Sequence, residues 1–332
     1  MIHSAADRPR RSSSNSWTNT YNGTDFVRQD FLGNQQERNR ETLELSDSYQ
    51  GHREQVMKLI RATVKDLTGA EDGQCSSVIL LGAGNCLDVD LPTLAKQFAK
   101  IHLVDVDAMA VTTAAQQSGV SGQCEIHAPA DIAEPLMSLT TRDLSLDPSN
   151  NEHSVNVLQA LTSEHGVADV PPADVVISLC VFSQIVETFG RLVGEDHPVF
   201  GHGLKAIRLG HLRRLLSMLR PGGVAVFISD VVSSDTSDEL KTATLQSTPE
   251  LVKKLVNAGN FFSGANPALM LADLNMLTRL PGGPESVHTI DPWPWRMGDR
   301  VYAVYAFRIQ KAQPVKEVTE EINMDEIPEA PR

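Results

Sequence analysis

Short apolar runs alternate with segments of helical spacing through the middle of the chain. Ser77–Leu81, Lys100–Val104, Cys124–His127, Val175–Leu179 and Val224–Ile228 read as five buried strands. Ahead of the fifth, Leu204, Ile207, Leu212, Leu215, Leu216 and Leu219 share one broad face of a helix expected over Gly203–Leu219, with Pro221, Gly222 and Gly223 as its stop. Strands separated by helices in this way predict a parallel sheet built from crossover units.

The flanks read differently. From Asp30 to Leu67, Leu45, Val56, Leu59, Ile60, Val64 and Leu67 recur at helical intervals, so helices precede the sheet. After the fifth strand come a helix over Pro267–Leu277 and two β-like runs, Ser286–Ile290 and Arg300–Arg308. In the last run apolar residues fill both alternating sets, which predicts burial on both faces. The Asp147–His153 stretch reads as an exposed loop. The expected organisation is a disordered tail over residues 1–20, a helical extension over 21–72 acting as a lid or a homodimer surface, one α/β domain over 73–311, and an acidic tail over 312–332.

Composition narrows the function. The 332 residues are 41% hydrophobic and 21% charged, which suits a globular chain with a sizeable core. A net charge of -13 disfavours nucleic acid as a partner. Cys75, Cys86, Cys124 and Cys180 are dispersed and show no zinc spacing, so no metal is expected and reduced thiols in the cytoplasm are the simplest account. No apolar run matches a signal peptide or a membrane span.

The clearest chemical signal is the strand Val78, Ile79, Leu80, Leu81 turning on Gly82, Ala83, Gly84, Asn85 and Cys86. Glycines at such a turn let the backbone approach a ligand closely. Asp105, followed by Val106, ends the second strand, where a carboxylate can accept both hydroxyls of an adenosine ribose. Leu87 stands where a dinucleotide fingerprint wants a third small residue beside the pyrophosphate, which argues against NAD or FAD.

On these residues the chain, from about Ser77 to Phe307, resembles the class I S-adenosylmethionine-dependent methyltransferases. The resemblance implies a Rossmann-like, doubly wound α/β sheet, mostly parallel, with the two late β-like runs as a C-terminal antiparallel hairpin and Trp293 and Trp295 in its connecting turn. It implies S-adenosylmethionine as cofactor, with Gly82, Ala83, Gly84 and Asn85 beside its amino acid portion and Asp105 and Val106 at the ribose. Asp131 and Ile132 would serve the adenine, and Ser178 and Leu179 would border the transferred methyl. Cys86 takes the place of a frequent third glycine, and Asp88, Asp90 and Pro92 delay the following helix.

Methyl transfer is an in-line displacement in which positioning supplies much of the rate. His202, Gln184 and Asp230 are the candidates for a general base, with His202 expected in a loop, Asp230 at a strand end and His211 a packing or surface residue. Tyr21, Tyr49 and Arg53 precede the sheet, where a lid would lie. A small-molecule acceptor, methylated on oxygen or nitrogen, is the expectation, ahead of a protein acceptor. The alternatives are an NAD(P)-dependent oxidoreductase, weakened by the lack of a Tyr-x-x-x-Lys pair, and a non-catalytic protein that binds S-adenosylmethionine or a partner.

Overall fold

The computed structural model describes residues 23–133, 136, 151–163, 167 and 169–313. Residues 1–20, Tyr21, much of the expected Asp147–His153 loop and residues 314–332 lie outside that set.

Seven strands form one sheet: β1 Cys75–Leu81, β2 Phe98–Val104, β3 Cys124–His127, β4 Ala173–Leu179, β5 Leu219–Ser233, β6 Pro284–Met297 and β7 Arg300–Lys311. Their order is β3-β2-β1-β4-β5-β7-β6. The first five pair in parallel, and β7 is antiparallel to both β5 and β6. This is the Rossmann-like sheet with a C-terminal antiparallel hairpin that the sequence predicts. The direction of winding reverses between β1 and β4, and that reversal opens the crevice where ligands of such sheets bind.

Both faces are covered. Alternate side chains of a strand point to opposite faces, so Val78 and Leu80 join one buried cluster and Ile79 and Leu81 the other. The first cluster is closed by α2 (Gln50–Thr68), α3 (Leu91–Gln97) and α4 (Ala108–Gln117), with Val56, Ile60 and Leu94 fully buried. The second packs under α5 (Asn151–Thr162), α6 (Phe182–Val193), α7 (Phe200–Ser217), α8 (Thr248–Asn257) and α9 (Pro267–Leu277), through Phe182, Phe189, Leu212 and Leu215. Ahead of them α1 (Gly23–Glu44) and a short 3-10 turn at Ser46–Tyr49 lead into α2.

Several local expectations are corrected. Trp293 and Trp295 are not in a turn: they lie inside β6, nearly fully buried, and the hairpin turns at Gly298, with φ +59°. Pro292 and Pro294 suggested a break, but β6 is the edge strand, where a missing N–H leaves no ladder bond unmade. His202 belongs to the first turn of α7 and not to a loop. The Pro221-Gly222-Gly223 stop does end α7, yet those residues are already within β5, where the register against β4 slips between Ala173 and Val175. Asp230 is a paired strand residue opposite Val304, not a strand-end cap. Pro92 does not delay α3: it occupies that helix's first turn, a position that needs no N–H donor. Asn151–His153, read as part of an exposed loop, begin α5.

Candidate functional site

A cleft of about 930 Å³ opens at the C-terminal ends of β1, β2, β4 and β5. Gly82, Ala83, Gly84, Asn85, Asp105, Val106, Asp131, Ile132 and Leu179 all line it, as do Gln184 and Asp230. The placement follows from the crevice at the β1/β4 reversal, toward which the strand ends and their loops converge.

Two glycines are required by contacts. A Cβ on Gly82, whose φ is +73°, would meet the Val181 Cβ at 2.8 Å, and one on Gly84, at φ +46°, would stand 3.2 Å from the Asn39 side chain. Cys86 adopts the left-handed conformation, at φ +54°, and so does Cys180 after β4, at φ +48°. Such angles cost a non-glycine residue roughly 1–2 kcal/mol, and both residues sit beside the cleft's strand ends, where strain is often retained for function.

Asp105 is held in place by the backbone. Its carboxylate accepts the Gly84 N–H at 2.8 Å and the Asp107 N–H at 2.9 Å, one on each oxygen. Burial raises its pKa while those N–H groups oppose the rise. Each oxygen retains a second lone pair, the capacity that two vicinal hydroxyls need. Asp107 caps α4, accepting from the Met109 and Ala110 N–H groups, and its other oxygen accepts from Asn39 Nδ2 at 3.0 Å.

Asn39 therefore ties α1 to the end of β2. Asn85 Nδ2 completes the link by donating to the Asn39 carbonyl at 2.5 Å and to Thr42 Oγ1 at 3.1 Å. Arg53 Nε of α2 donates to the Leu87 carbonyl at 2.7 Å. Across the mouth, Arg38 reaches Glu187 of α6 at 2.7 Å. Burial acts to raise the Glu187 carboxyl, but the hydrogen bond and charge of Arg38, with Arg191, hold it below its usual range. The N-terminal helices thus form one wall of the cleft, with Tyr49, like Arg53, anticipated among them. Asn39, Thr42 and Arg38 were not, because no motif marks a polar residue that acts through a distant loop.

The loop after β3 is braced from below. Asp131 accepts from the Ala133 N–H at 2.8 Å, and buried Arg214 of α7 hydrogen-bonds the Ile132 carbonyl. Ser178 does not line the cleft. Its side chain alternates to the opposite face and meets His211 Nε2 at 2.9 Å. Burial and the Arg214 charge push the His211 pKa down to about 3, so this packing histidine stays neutral. His202 is exposed and also outside the cleft.

On the β5 side of the cleft, rings from separate elements come together. Trp295 and Tyr302 are cross-strand partners with ring centroids 5.6 Å apart, and Tyr49 packs edge-on to Trp295 at 5.1 Å. His52 of α2 stacks on Trp295 at 4.4 Å and accepts the Trp293 indole N–H at 3.1 Å. Its Nε2 lies 3.0 Å from Asp88, an approach poorly angled for a hydrogen bond. Gln184 Nε2 is 3.5 Å from the Cys180 carbonyl, at the limit of a hydrogen bond. Burial lifts the Cys180 thiol well above its ordinary value and raises the Asp230 carboxyl. Cys180 is thus no thiolate nucleophile.

A second clustering lies on the sheet itself: His102, Glu125 and His127 share one face, with His102 Nδ1 3.0 Å from His127 Nε2. The two imidazoles form a hydrogen-bonded pair, and Lys100 lies 3.4 Å from Glu125.

No protein-family profile matches the chain, and no curated protein matches it. Among solved structures it is similar in shape to the N-methyltransferase NodS from Bradyrhizobium japonicum with S-adenosylhomocysteine, at 12% identity over 78% of this chain and 86% of that one, TM-score 0.40. It is likewise similar to the 1,6-didemethyltoxoflavin N1-methyltransferase of Burkholderia thailandensis, at 10% identity over 90% and 94%, TM-score 0.39. Human N-acetylserotonin methyltransferase with S-adenosylmethionine gives 15% identity over 84% and 57%, TM-score 0.38. Likenesses this low carry no function across. The cleft and its donors are what bear on activity.

Proposed function

We propose that the protein is a class I S-adenosylmethionine-dependent methyltransferase acting on a small molecule at oxygen or nitrogen. The observation that carries this reading is the pairing of Asp105 with the Gly82-Ala83-Gly84 turn at the β1/β4 crevice, joined by the Gly84 N–H bond. Bound there, the cofactor would supply an electrophilic methyl on its sulfonium. Asp105 would hold the ribose hydroxyls, Asp131 and Ile132 would flank the adenine, and Gly82 to Asn85 would leave room for the amino acid portion. Asn39 and Thr42 would keep α1 closed over that portion, excluding water from the sulfonium. On this reading residues 73–311 are the catalytic domain and 21–72 its lid.

The nicotinamide alternative is weakened by the helix that follows the glycine turn. Dinucleotide folds aim a helix N-terminus at the pyrophosphate. Here α3 starts only at Leu91, and Asp90 already accepts the Thr93 N–H at 2.8 Å. Pro92 supplies no donor, so a carboxylate stands where an anion would have to bind. A cleft of this size also suits a small acceptor better than a protein segment.

Calorimetric titration with S-adenosylmethionine and, separately, NADH tests the reading, with Asp105→Ala as control. Micromolar binding of the former that the variant loses supports it. Preference for NADH, or no binding of S-adenosylmethionine, overturns it.

A further inference from the structure

Beyond the end of β4 the cleft continues along β5, β7 and β6, where its walls turn aromatic. Tyr49, Trp295 and Tyr302 form a chain of neighbouring rings, and Phe262 stands 6.4 Å from Tyr302. Asp230 faces the same side of the sheet, since it pairs with Val304, two residues along from Tyr302. The Cys180 N–H donates to the Ile228 carbonyl at 3.1 Å, so the end of β4 and Asp230 border one space.

The acid in this chamber is only partly satisfied. Asp230 is only 9% exposed, and one of its oxygens has no hydrogen-bond partner among the described residues. Ser183 and the charges of Arg300 and His52 oppose the rise in its pKa, while the Arg300 guanidinium pairs with Asp235 at 2.5 Å, donates to Ser233 at 3.1 Å and lies over the Tyr302 ring at 4.6 Å. A buried carboxylate left in this state favours a ligand that brings a donor and repels one that brings another anion.

Building on the methyl-transfer reading, we propose that this chamber is the acceptor subsite and that the acceptor is a flat unsaturated ring bearing an N–H or O–H group that donates to Asp230. The rings supply a stacking wall for a planar acceptor. In the reaction the acceptor's nitrogen or oxygen lone pair forms the new bond to the methyl carbon as the carbon–sulfur bond breaks. That bond's electron pair returns to sulfur, leaving the neutral thioether. The acceptor's N–H or O–H proton passes to the Asp230 carboxylate and from there to solvent. Burial raises the Asp230 carboxyl, which makes its anion a stronger base.

The test titrates the protein, saturated with S-adenosylhomocysteine, with catechol, tryptamine, benzoate and cyclohexylamine, followed by calorimetry and tryptophan fluorescence. Catechol and tryptamine are expected to bind about 10-fold more tightly than benzoate or cyclohexylamine, and Asp230→Asn to weaken them about 10-fold while leaving S-adenosylhomocysteine affinity within about 2-fold. Tyr302→Leu, which removes a ring wall and keeps the carboxylate, should weaken both ring probes about 10-fold and serves if Asp230→Asn fails to fold. Equal binding of benzoate or cyclohexylamine, no binding of either ring donor, or unchanged affinity in the variants overturns the proposal. Failure of the cofactor reading shows separately, as absent S-adenosylhomocysteine binding, and the same four probes on the unliganded protein then still decide what the chamber accepts.

Discussion

Two buried acids face one cleft from opposite sides of the β1/β4 crevice, and they are held in opposite ways. Asp105 has an N–H group on each carboxylate oxygen, from Gly84 and Asp107, while Asp230 leaves an oxygen without a partner. Burial raises the pKa of both. At Asp105 the backbone N–H groups oppose that rise from both oxygens, which suits a group that receives hydroxyls in fixed directions. At Asp230, Ser183 and the Arg300 and His52 charges oppose the rise but one oxygen stays unpaired, which suits a group that gains a donor or a proton when a ligand arrives. The β1–β2 side is thus organised for geometry, and the β5–β7 side for exchange of a proton.

Substitutions can break that contrast. The largest effect is expected at the cofactor: Asp105→Ala should weaken S-adenosylmethionine by about 100-fold, the loss of two charge-assisted hydrogen bonds, while Asp230→Ala should change it by less than about 3-fold. Calorimetry decides this, and comparable losses in the two variants would erase the division of roles.

Stability gives the next contrast. Asp105→Asn turns a donor toward one backbone N–H and should cost about 1–3 kcal/mol in chemical denaturation. Asp230→Asn should instead stabilise the protein by about 1 kcal/mol at pH 8. The sign follows from the raised pKa: the folded state binds the Asp230 proton more tightly than the unfolded state does, so the penalty is full above the folded pKa and fades as pH falls toward the ordinary carboxylate range. Denaturation at pH 8 and pH 5 should show the gain of Asp230→Asn shrinking, and a gain that grows on acidification would contradict the burial argument.

A smaller effect sharpens the first side. Asn39→Ala removes the tie between α1 and Asp107 and is expected to cost about 1 kcal/mol in stability and about 5-fold in S-adenosylmethionine affinity, read by melting and calorimetry. The smallest is Glu187→Gln at the mouth, where the partly exposed Arg38 pair should contribute less than about 0.5 kcal/mol. Sensitivity to salt in the parent, absent in the variant, would check even that.

Legibility followed the same divide. The β1–β2 side could be read because its chemistry is local: the glycines, Asn85 and Asp105 lie within one strand-turn-helix-strand unit. The β5–β7 side was legible only as single candidates, Asp230 as a base and Tyr49 in a lid, because Asp230, Trp295, Tyr302 and Tyr49 meet only when β7 inserts between β5 and β6 and α2 covers them. The same locality misled at Trp293 and Trp295, whose prolines mark a turn in a central strand but are tolerated at an edge. Ser178 was placed at the methyl by its position at a strand end, and the strand's alternation sends its side chain to His211 instead.

The order of apolar runs and helical segments determined by itself that the chain folds as a doubly wound sheet, and the glycine turn with its acid determined where the crevice would bear chemistry. Periodicity reports burial directly, and a turn's geometry is written in the residues that make it. Only the tertiary structure decided that an N-terminal asparagine braces the glycine turn, that an aromatic chamber lies beyond β4, and that Asp230 stands there with an unpaired oxygen. Those properties belong to contacts between residues tens to hundreds of positions apart, and no local pattern encodes a distance that packing alone sets.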